Sequence, residues 1–259
     1  FSMRDVDFSL SGGHADHVRE VADRFEGLGE ILASFHRDAE IPFLWGEYGT
    51  RIAELNRAYE PFGQLAIDQI VSYCRLDSSY FEDEAARIHF TICPQMSHFT
   101  AYTTKIEGEL HIVHGPPSGA PGPGAFFHET LHHVVGPILD GNLGLLDKSV
   151  ALLPVSKQHG DMGYPEWRDV VEESFVRTLS KVLSARYYEL VLEELETSVM
   201  AEYKLGFILS KHILESLPEY ENDDQPLFEY LPRIVESVDV DRERVRWAQF
   251  WLDDEQRTD

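Results

Sequence analysis

Basic side chains are scarce in this chain of 259 residues. It carries 22 Lys and Arg against 46 Asp and Glu, which gives a formal net charge of -24 at pH 7. Clustered basic side chains are what phosphate groups require, so nucleic acid and anionic membrane surfaces are poor partners for this protein. The acidic excess is interpreted as the well-solvated surface of a soluble enzyme or protein-binding module.

Long apolar runs are missing as well. No run approaches the roughly 18 residues that a membrane-spanning helix needs. The first residues, Phe1-Ser2-Met3-Arg4-Asp5, lack the basic-then-apolar order of a secretory signal. We therefore expect a soluble protein without membrane insertion and favour the cytoplasm, while a native leader ahead of Met3 is left open.

Cysteine is limited to Cys74 and Cys93. Their spacing contains no Cys-x-x-Cys pair, so they cannot form a multi-cysteine zinc site by themselves. We expect two small buried side chains in a reducing compartment, and a disulfide between them is left open.

The pattern of apolar residues predicts an α+β fold. Apolar positions recur at three- and four-residue steps in predicted helices, whereas three successive segments alternate and are rich in β-branched residues. The predicted helices cover 14–35, 49–59, 62–74, a long segment from Pro165, 185–217, 227–238 and 241–252, and the predicted strands cover 88–93, 99–104 and 109–114. Pro61 is expected to separate the second and third helices. The three strands predict a small, partly antiparallel sheet.

No extended linker divides the chain, so we expect a single domain over 1–259. Within it, an N-terminal helical part covers 1–86, the sheet and the helix after it cover 87–137, and a second helical part covers 138–259. Ten residues rich in Gly and Pro, 115–124, predict a loop that leads into that helix.

The helix after this loop carries the motif His128-Glu129-Thr130-Leu131-His132. On a helix, His128 and His132 leave the same face and can bind one Zn²⁺. Glu129 cannot join this pair, but it can act as general base toward water that the metal activates. We expect the helix to begin near Gly122-Pro123-Gly124 and to stop at Gly136-Pro137.

A catalytic zinc site needs a third protein ligand. The long helix after Pro165 offers Glu172 and Glu173. These two side chains point about 100° apart around the helix axis, so we expect at most one to coordinate.

With these residues, the chain resembles the gluzincins, the zincin metallopeptidases whose third zinc ligand is glutamate. The segment Val171-Glu172-Glu173-Ser174-Phe175-Val176 is similar to the Asn-Glu-Gly-Phe-Ala stretch of the aminopeptidase branch, which implies Glu173 as the ligand. Together with Tyr164, Trp167 and Arg177, the motif more closely resembles an uncharacterised bacterial metallopeptidase family with a domain of unknown function. The resemblance covers about Glu109 to Lys181, and its specific part is His-Glu-x-x-His.

The chain also departs from the better-known zincin branches. Thermolysin-like enzymes have Asp four residues after the ligand Glu, where this chain has Arg177. No third histidine with a following Met-turn comes after His132, and the Gly-x-Met-Glu-Asn exopeptidase signature is absent from the sequence. The resemblance therefore implies the gluzincin architecture and leaves the subfamily open.

Several further side chains are candidates for supporting roles. Tyr164 and Tyr203 are the candidate oxyanion donors, each weighed against ordinary aromatic packing. Arg177 is expected to form an i,i+4 ion pair with Glu173. His133 points away from the metal face and is expected either to be structural or to support the metal ligands without binding the ion. The remaining candidates are the carboxylates Asp140 and Asp169, which would orient the zinc histidines.

These observations predict a zinc metallopeptidase that hydrolyses peptide or protein substrates. The strand at 110–113 has the position of the zincin cleft rim, where an exposed edge could bind a peptide by β-addition. Two alternatives stay open: a zincin-like binding module without turnover, and a metal-dependent hydrolase of another substrate. Oligomeric state is not predicted.

Overall fold

The computed structural model of the protein describes residues 27–81, 88–98, 100–106, 109–116, 121–155 and 164–258. The chain divides into two compact units, Phe1–Arg57 and Ala58–Asp259. In the first unit, helix α1 covers Leu28–Asp38. Residues 14–26 of the helix predicted over 14–35 lie outside the described residues.

Helix α2 covers Ile41–Cys74 without interruption, and its residues from Ala58 onward belong to the second unit. The prediction that Pro61 separates two helices was therefore wrong. Proline removes one helical hydrogen bond at a cost of about 3 kcal/mol. The segment beyond it buries Ala66, Ile67 and Ile70, and the two isoleucines offset that cost because an isoleucine side chain contributes roughly 1.5–3 kcal/mol when fully buried.

A three-stranded mixed sheet precedes the helix that carries the His-Glu-x-x-His motif. Strand β1 covers Ile88–Ile92, β2 covers Ala101–Ile106 and β3 covers Glu109–His114. The order is β1-β3-β2, with β1 parallel and β2 antiparallel to β3. The second unit is otherwise helical, so the predicted α+β class and partly antiparallel sheet are confirmed.

Because β3 is the central strand, both of its edges are already paired. The expected exposed edge at 110–113 was therefore wrong. The order of the strands along the sequence does not reveal this pairing, because β1 pairs with β3 and not with β2, the next strand along the chain. Among the described strands, β2 has a free edge and contacts the helix that carries the motif.

Helix α3 covers Gly124–Asp140 and begins after Pro123, as predicted. The helix continues past Gly136-Pro137, so the prediction that it stops there was wrong. Pro137 has no N–H for the carbonyl of His133 four residues earlier. Instead, the hydroxyl of Tyr80 donates to that carbonyl at 2.9 Å, so the helix continues without an unsatisfied acceptor.

Helix α4, Trp167–Tyr187, is the centre of the second unit and packs most extensively along α3. Its side chains are buried nearly all around the axis, which is typical of a helix enclosed by other elements. Two of its buried hydroxyls, on Ser174 and Thr178, each donate at 2.7 Å to the carbonyl four residues earlier. The helix can therefore be buried with its polar groups paired.

The remaining elements surround α3 and α4. Two short 3₁₀ helices, Leu143–Lys148 and Val150–Leu152, follow α3. Helices α5 to α8 cover Leu192–Lys204, Ser210–Asn222, Leu227–Glu236 and Val240–Thr258. Cys74 and Cys93 are free thiols. Among the described residues, no helix has both the length and the apolar character needed to cross a membrane.

Candidate metal centre

Helix α3 places His128 and His132 one turn apart on the same face. Their rings lie 5.1 Å apart between centroids, at an angle of 81°. Helix α3 is anchored in the core by Phe127, Leu131 and Val135, all fully buried. These apolar residues thus fix the direction in which the two imidazoles point.

Glu173 reaches these imidazoles from α4. Its Oε1 lies 3.4 Å from His132 Nε2, and its Oε2 lies 3.8 Å from His128 Nε2. The ligand atoms of His128, His132 and Glu173 all lie within 4.8 Å of one another. Atoms bound at about 2.0–2.2 Å around a tetrahedral ion lie roughly 3.3–3.6 Å apart, so this arrangement fits a small divalent cation.

Glu172 does not join this cluster but lies behind it. Its Oε1 is 2.7 Å from His132 Nδ1, which leaves Nε2 of that ring directed toward Glu173. A carboxylate on the far nitrogen fixes the tautomer and orientation of a metal-binding histidine. The acidic residues that we predicted for this role, Asp140 and Asp169, instead pair with Arg168 at 2.8 and 3.4 Å, so that assignment was wrong.

Arg168 also holds Glu172 in place, by an ion pair one helical turn apart on α4. The close approach of α3 permits this, because Gly136 faces the pair. A Cβ at that position would lie 3.1 Å from Glu172 Oε1 and 3.4 Å from Arg168 Nη2. Glycine at 136 therefore keeps the space that the supporting carboxylate needs.

Arg177 holds the other carboxylate. Its Nε donates to Glu173 Oε2 at 2.8 Å, so the predicted i,i+4 ion pair is present. Its Nη1 donates to Glu202 Oε2 at 2.9 Å, and Lys181 also pairs with Glu202 at 3.1 Å. Burial alone would lower the pKa of Arg177, but Glu173 and Glu202 outweigh it and hold that pKa above its usual value. Glu173 is thus pre-oriented by a charged network.

Glu129 points toward the same space without entering the ligand set. Its Oε1 lies 4.0 Å from His128 Nε2, and its Oε2 accepts a 2.6 Å hydrogen bond from the Thr103 hydroxyl on β2. Burial raises the pKa of Glu129, although the Thr103 hydrogen bond opposes the shift. A carboxylate with a raised pKa is better suited to carry a proton near neutral pH.

Burial also keeps His128 uncharged. It lowers the pKa of this histidine to about 3, and the nearby Glu173 carboxylate only partly opposes the shift. Metal binding requires the neutral imidazole. His128 is therefore already in the protonation state that a metal ligand needs.

The two tyrosine candidates have different surroundings. Tyr164 lies on the wall of the same cavity, next to Glu173 and Arg177, and burial raises its pKa. Tyr203 is completely buried against Trp247 and Phe250 and does not line the cavity, so it is not an oxyanion donor. The carbonyl of His133 accepts the hydrogen bond from Tyr80. The side chain of His133 is not one of the three side chains in the cluster.

A cavity of about 400 Å³ opens over the cluster. Its walls come from the start of β2, the end of β3, α3, α4 and α5, and they include Ala101, Glu129 and Glu202. The role of Thr103 and Glu202 was missed by sequence reasoning, because neither belongs to a local motif. Only the packing of β2 and α5 brings them to the helices that carry the motif.

Comparison with known proteins yields one family match. A family model described as "Domain of unknown function (DUF4932)" matches residues 122–237. The match includes α3 and α4, and with them His128, Glu129, His132 and Glu173. No curated protein and no solved structure matches the chain.

Proposed function

We propose that this protein is a zinc-dependent hydrolase of peptide bonds with a zincin-like fold of the gluzincin type. The observation that supports this best is the position of Glu129. It lies next to, but outside, a cluster of two imidazoles and one carboxylate, at the wall of an open cavity. A pure metal-binding site does not require a buried carboxylate at this place.

His128, His132 and Glu173 would hold the ion. Zn²⁺ bound by such a set polarises a substrate carbonyl and lowers the pKa of water from 15.7 to about 7. Glu172 supports His132, and Arg177 supports Glu173. These contacts reduce the rearrangement needed on binding, since the ligands are already oriented.

Glu129 acts as the proton carrier. Its carboxylate accepts the proton from the attacking water and then delivers it to the leaving amine. Thr103 holds one oxygen of this carboxylate, so the other oxygen stays directed toward the cluster. The raised pKa of Glu129 brings the two protonation states closer in free energy, as a residue that both accepts and donates requires.

Tyr164 is the oxyanion donor in this proposal. Its raised pKa keeps the hydroxyl protonated at neutral pH, and it lies on the cavity wall beside Glu173. Removing one such donor typically lowers kcat by about 10²–10³-fold. Tyr164→Phe should therefore reduce turnover by that order while leaving the metal cluster intact.

The free edge of β2 is the place where we propose that the substrate main chain binds. β2 pairs with β3 on one side, and Ala101 at its start lines the cavity. An extended peptide added to this edge would form main-chain hydrogen bonds independent of its side chains. Its scissile bond would then lie beside Glu129.

The test is digestion of a mixed peptide library, followed by mass spectrometry. We expect cleavage that stops with a zinc chelator and returns when Zn²⁺ is restored. A zinc-loaded protein that cleaves no peptide would instead be a binding module. A protein that hydrolyses only other esters or amides would be a different metal hydrolase, and either result would overturn the proposal.

A further inference from the structure

A second group of two histidines and one glutamate lies on the sheet. His89 on β1 is the direct neighbour of His111 on β3, and Glu109 lies two residues before His111 on the same strand. Residues two apart on a strand point to the same face. The ligand atoms of these three side chains all lie within 4.8 Å of one another.

The contacts inside this group are close. His89 Nε2 lies within hydrogen-bond distance of Glu109 Oε2, at 2.8 Å, and the two imidazoles are stacked with 4.6 Å between centroids and 12° between planes. A bound ion would replace this hydrogen bond and separate the two atoms to roughly 3.3–3.6 Å. The group then offers one negative charge and a nitrogen lone pair from each ring to a single divalent cation.

The group lies on the solvent side of the sheet. Along β3, Leu110, Ile112 and His114 are buried, while Glu109 and His111 alternate with them and are only partly buried. His89 and Glu109 are each about half exposed, at 47% and 46% of their side-chain surfaces. An ion could therefore reach the group directly from solvent and keep water among its ligands.

This group is separate from the metal centre on the helices. It occupies the first residues of β3, whereas His114 at the other end of β3 lines the cavity. A strand rises about 3.3 Å per residue, so His111 and His114 are roughly 10 Å apart along β3. The burial alternation also places their side chains on opposite faces of the sheet.

We propose that His89, Glu109 and His111 form a second, solvent-accessible site for a divalent transition-metal ion. Imidazole ligands suit Zn²⁺, Ni²⁺ and Cu²⁺ far better than Mg²⁺ or Ca²⁺. Its ligands come from β1 and β3, so a bound ion cross-links the edge strand β1 to the central strand. A bound ion would therefore stabilise the sheet. The same sheet includes β2, whose Thr103 donates a hydrogen bond to Glu129.

The test is the zinc stoichiometry of the full chain, stripped of metal and then titrated with Zn²⁺ in equilibrium dialysis. Wild type should bind about two ions, with the sheet site the weaker because its ligands are exposed and less fixed. His89→Ala/His111→Ala should bind about one ion tightly, and His128→Ala/His132→Ala should bind about one ion weakly. His36→Ala serves as the matched control for loss of a histidine and should behave like wild type.

A second measurement protects the test against misfolding of a double variant. The single substitution Glu109→Gln is conservative and half exposed, and it should weaken only the second binding step. The ring-proton resonances of His89 and His111 are identified as those that the variants His89→Asn and His111→Asn lack. In wild type saturated with Zn²⁺ at the tight site, added Cu²⁺ should broaden these resonances. The proposal is overturned if wild type binds a single Zn²⁺, or if Cu²⁺ broadens other histidines and spares these two.

Discussion

The protein brings together two histidines and a glutamate in two different settings. On α3 and α4, Glu173 is only 7% exposed and each carboxylate of the pair Glu172 and Glu173 is held by an arginine. On the sheet, His89 and Glu109 are about half exposed. The two groups therefore share the same residue types and differ in their surroundings.

Three features separate the centre on the helices from the group on the sheet. A supporting carboxylate binds the far nitrogen of His132, Glu129 lies beside the ligands without joining them, and a cavity opens over them. In the sheet group, the carboxylate that contacts His89, on Glu109, is itself one of the three proposed ligands, and none of the three residues lines the cavity over the helical centre. The difference predicts a tight, reactive centre on the helices and a weaker, accessible site on the sheet.

The largest expected effect comes from removing a ligand of the helical centre. Zinc binding by a structured site contributes about 10–16 kcal/mol, so one of three ligands accounts for roughly 3–5 kcal/mol, or about 10²–10⁴-fold in affinity. We expect this loss for His132→Ala and for Glu173→Gln. Metal competition with a calibrated chelator measures it, and an affinity within threefold of wild type for either variant would show that the ligands are misassigned.

Glu172→Gln should have a smaller effect on the same measurement. The glutamine still fills the space but cannot present a charged acceptor to His132 Nδ1, so zinc affinity should fall by about 10–100-fold. The neighbouring substitution Asp169→Asn is the matched control and should leave the affinity near wild type. If Glu172→Gln lowers affinity as much as Glu173→Gln, then Glu172 is itself a ligand.

The buried histidine also predicts a pH effect on the metal-free protein. The pKa of His128 is about 3 in the folded chain and about 6.5 in the unfolded chain. Below pH 6.5 the unfolded chain therefore binds a proton that the folded chain does not, and stability falls as the pH falls, until about pH 3.

Between pH 7 and pH 5 this loss should amount to roughly 2 kcal/mol of unfolding free energy. Urea unfolding of stripped wild type and His128→Gln at both pH values measures it. The variant His128→Gln should lack this loss of unfolding free energy between pH 7 and pH 5, since glutamine does not titrate. Equal pH dependence in the two proteins would mean that His128 is not held neutral by burial.

Gly136→Ala should have the smallest effect and tests the space behind His132. Alanine favours the helix by up to about 1 kcal/mol, but its Cβ would press on Glu172 Oε1 at 3.1 Å. We expect unfolding free energy close to that of wild type and zinc affinity lower by about threefold to tenfold, because Glu172 is displaced. Unchanged zinc affinity would show that Glu172 is not needed in its observed position.

The helical centre could be predicted largely from sequence because its geometry is local. Four residues on a helix bring His128 and His132 to one face. Glu173 was preferred to Glu172 because of the residues that follow it, Phe175 and Val176, and because of the resemblance to the gluzincins. Glu172 was assigned no role because its direction relative to Glu173 excluded it as a second ligand. Its actual role depends on how closely α4 approaches α3 at Gly136, which no local pattern encodes.

The sheet group could not be predicted for a related reason. His89 and His111 are 22 positions apart, and they meet only because β1 pairs in parallel with β3 and not with the next strand. The helix boundaries predicted at Pro61 and Pro137 were wrong for the same reason, because contacts between distant residues decide whether a helix continues through a proline. At Pro137, the missing hydrogen bond is replaced by Tyr80, a contact between distant parts of the chain.

The most direct test of the proposed chemistry is the kinetics of Glu129→Gln on a peptide that wild type cleaves in a chelator-sensitive way. Glutamine keeps the shape and can still accept the Thr103 hydrogen bond, but it cannot take the proton from water. The account predicts that kcat/KM falls by about 10²–10⁴-fold, with zinc content and Tm near wild type and with the exposed control Glu236→Gln fully active. Full chelator-sensitive activity in Glu129→Gln would contradict it.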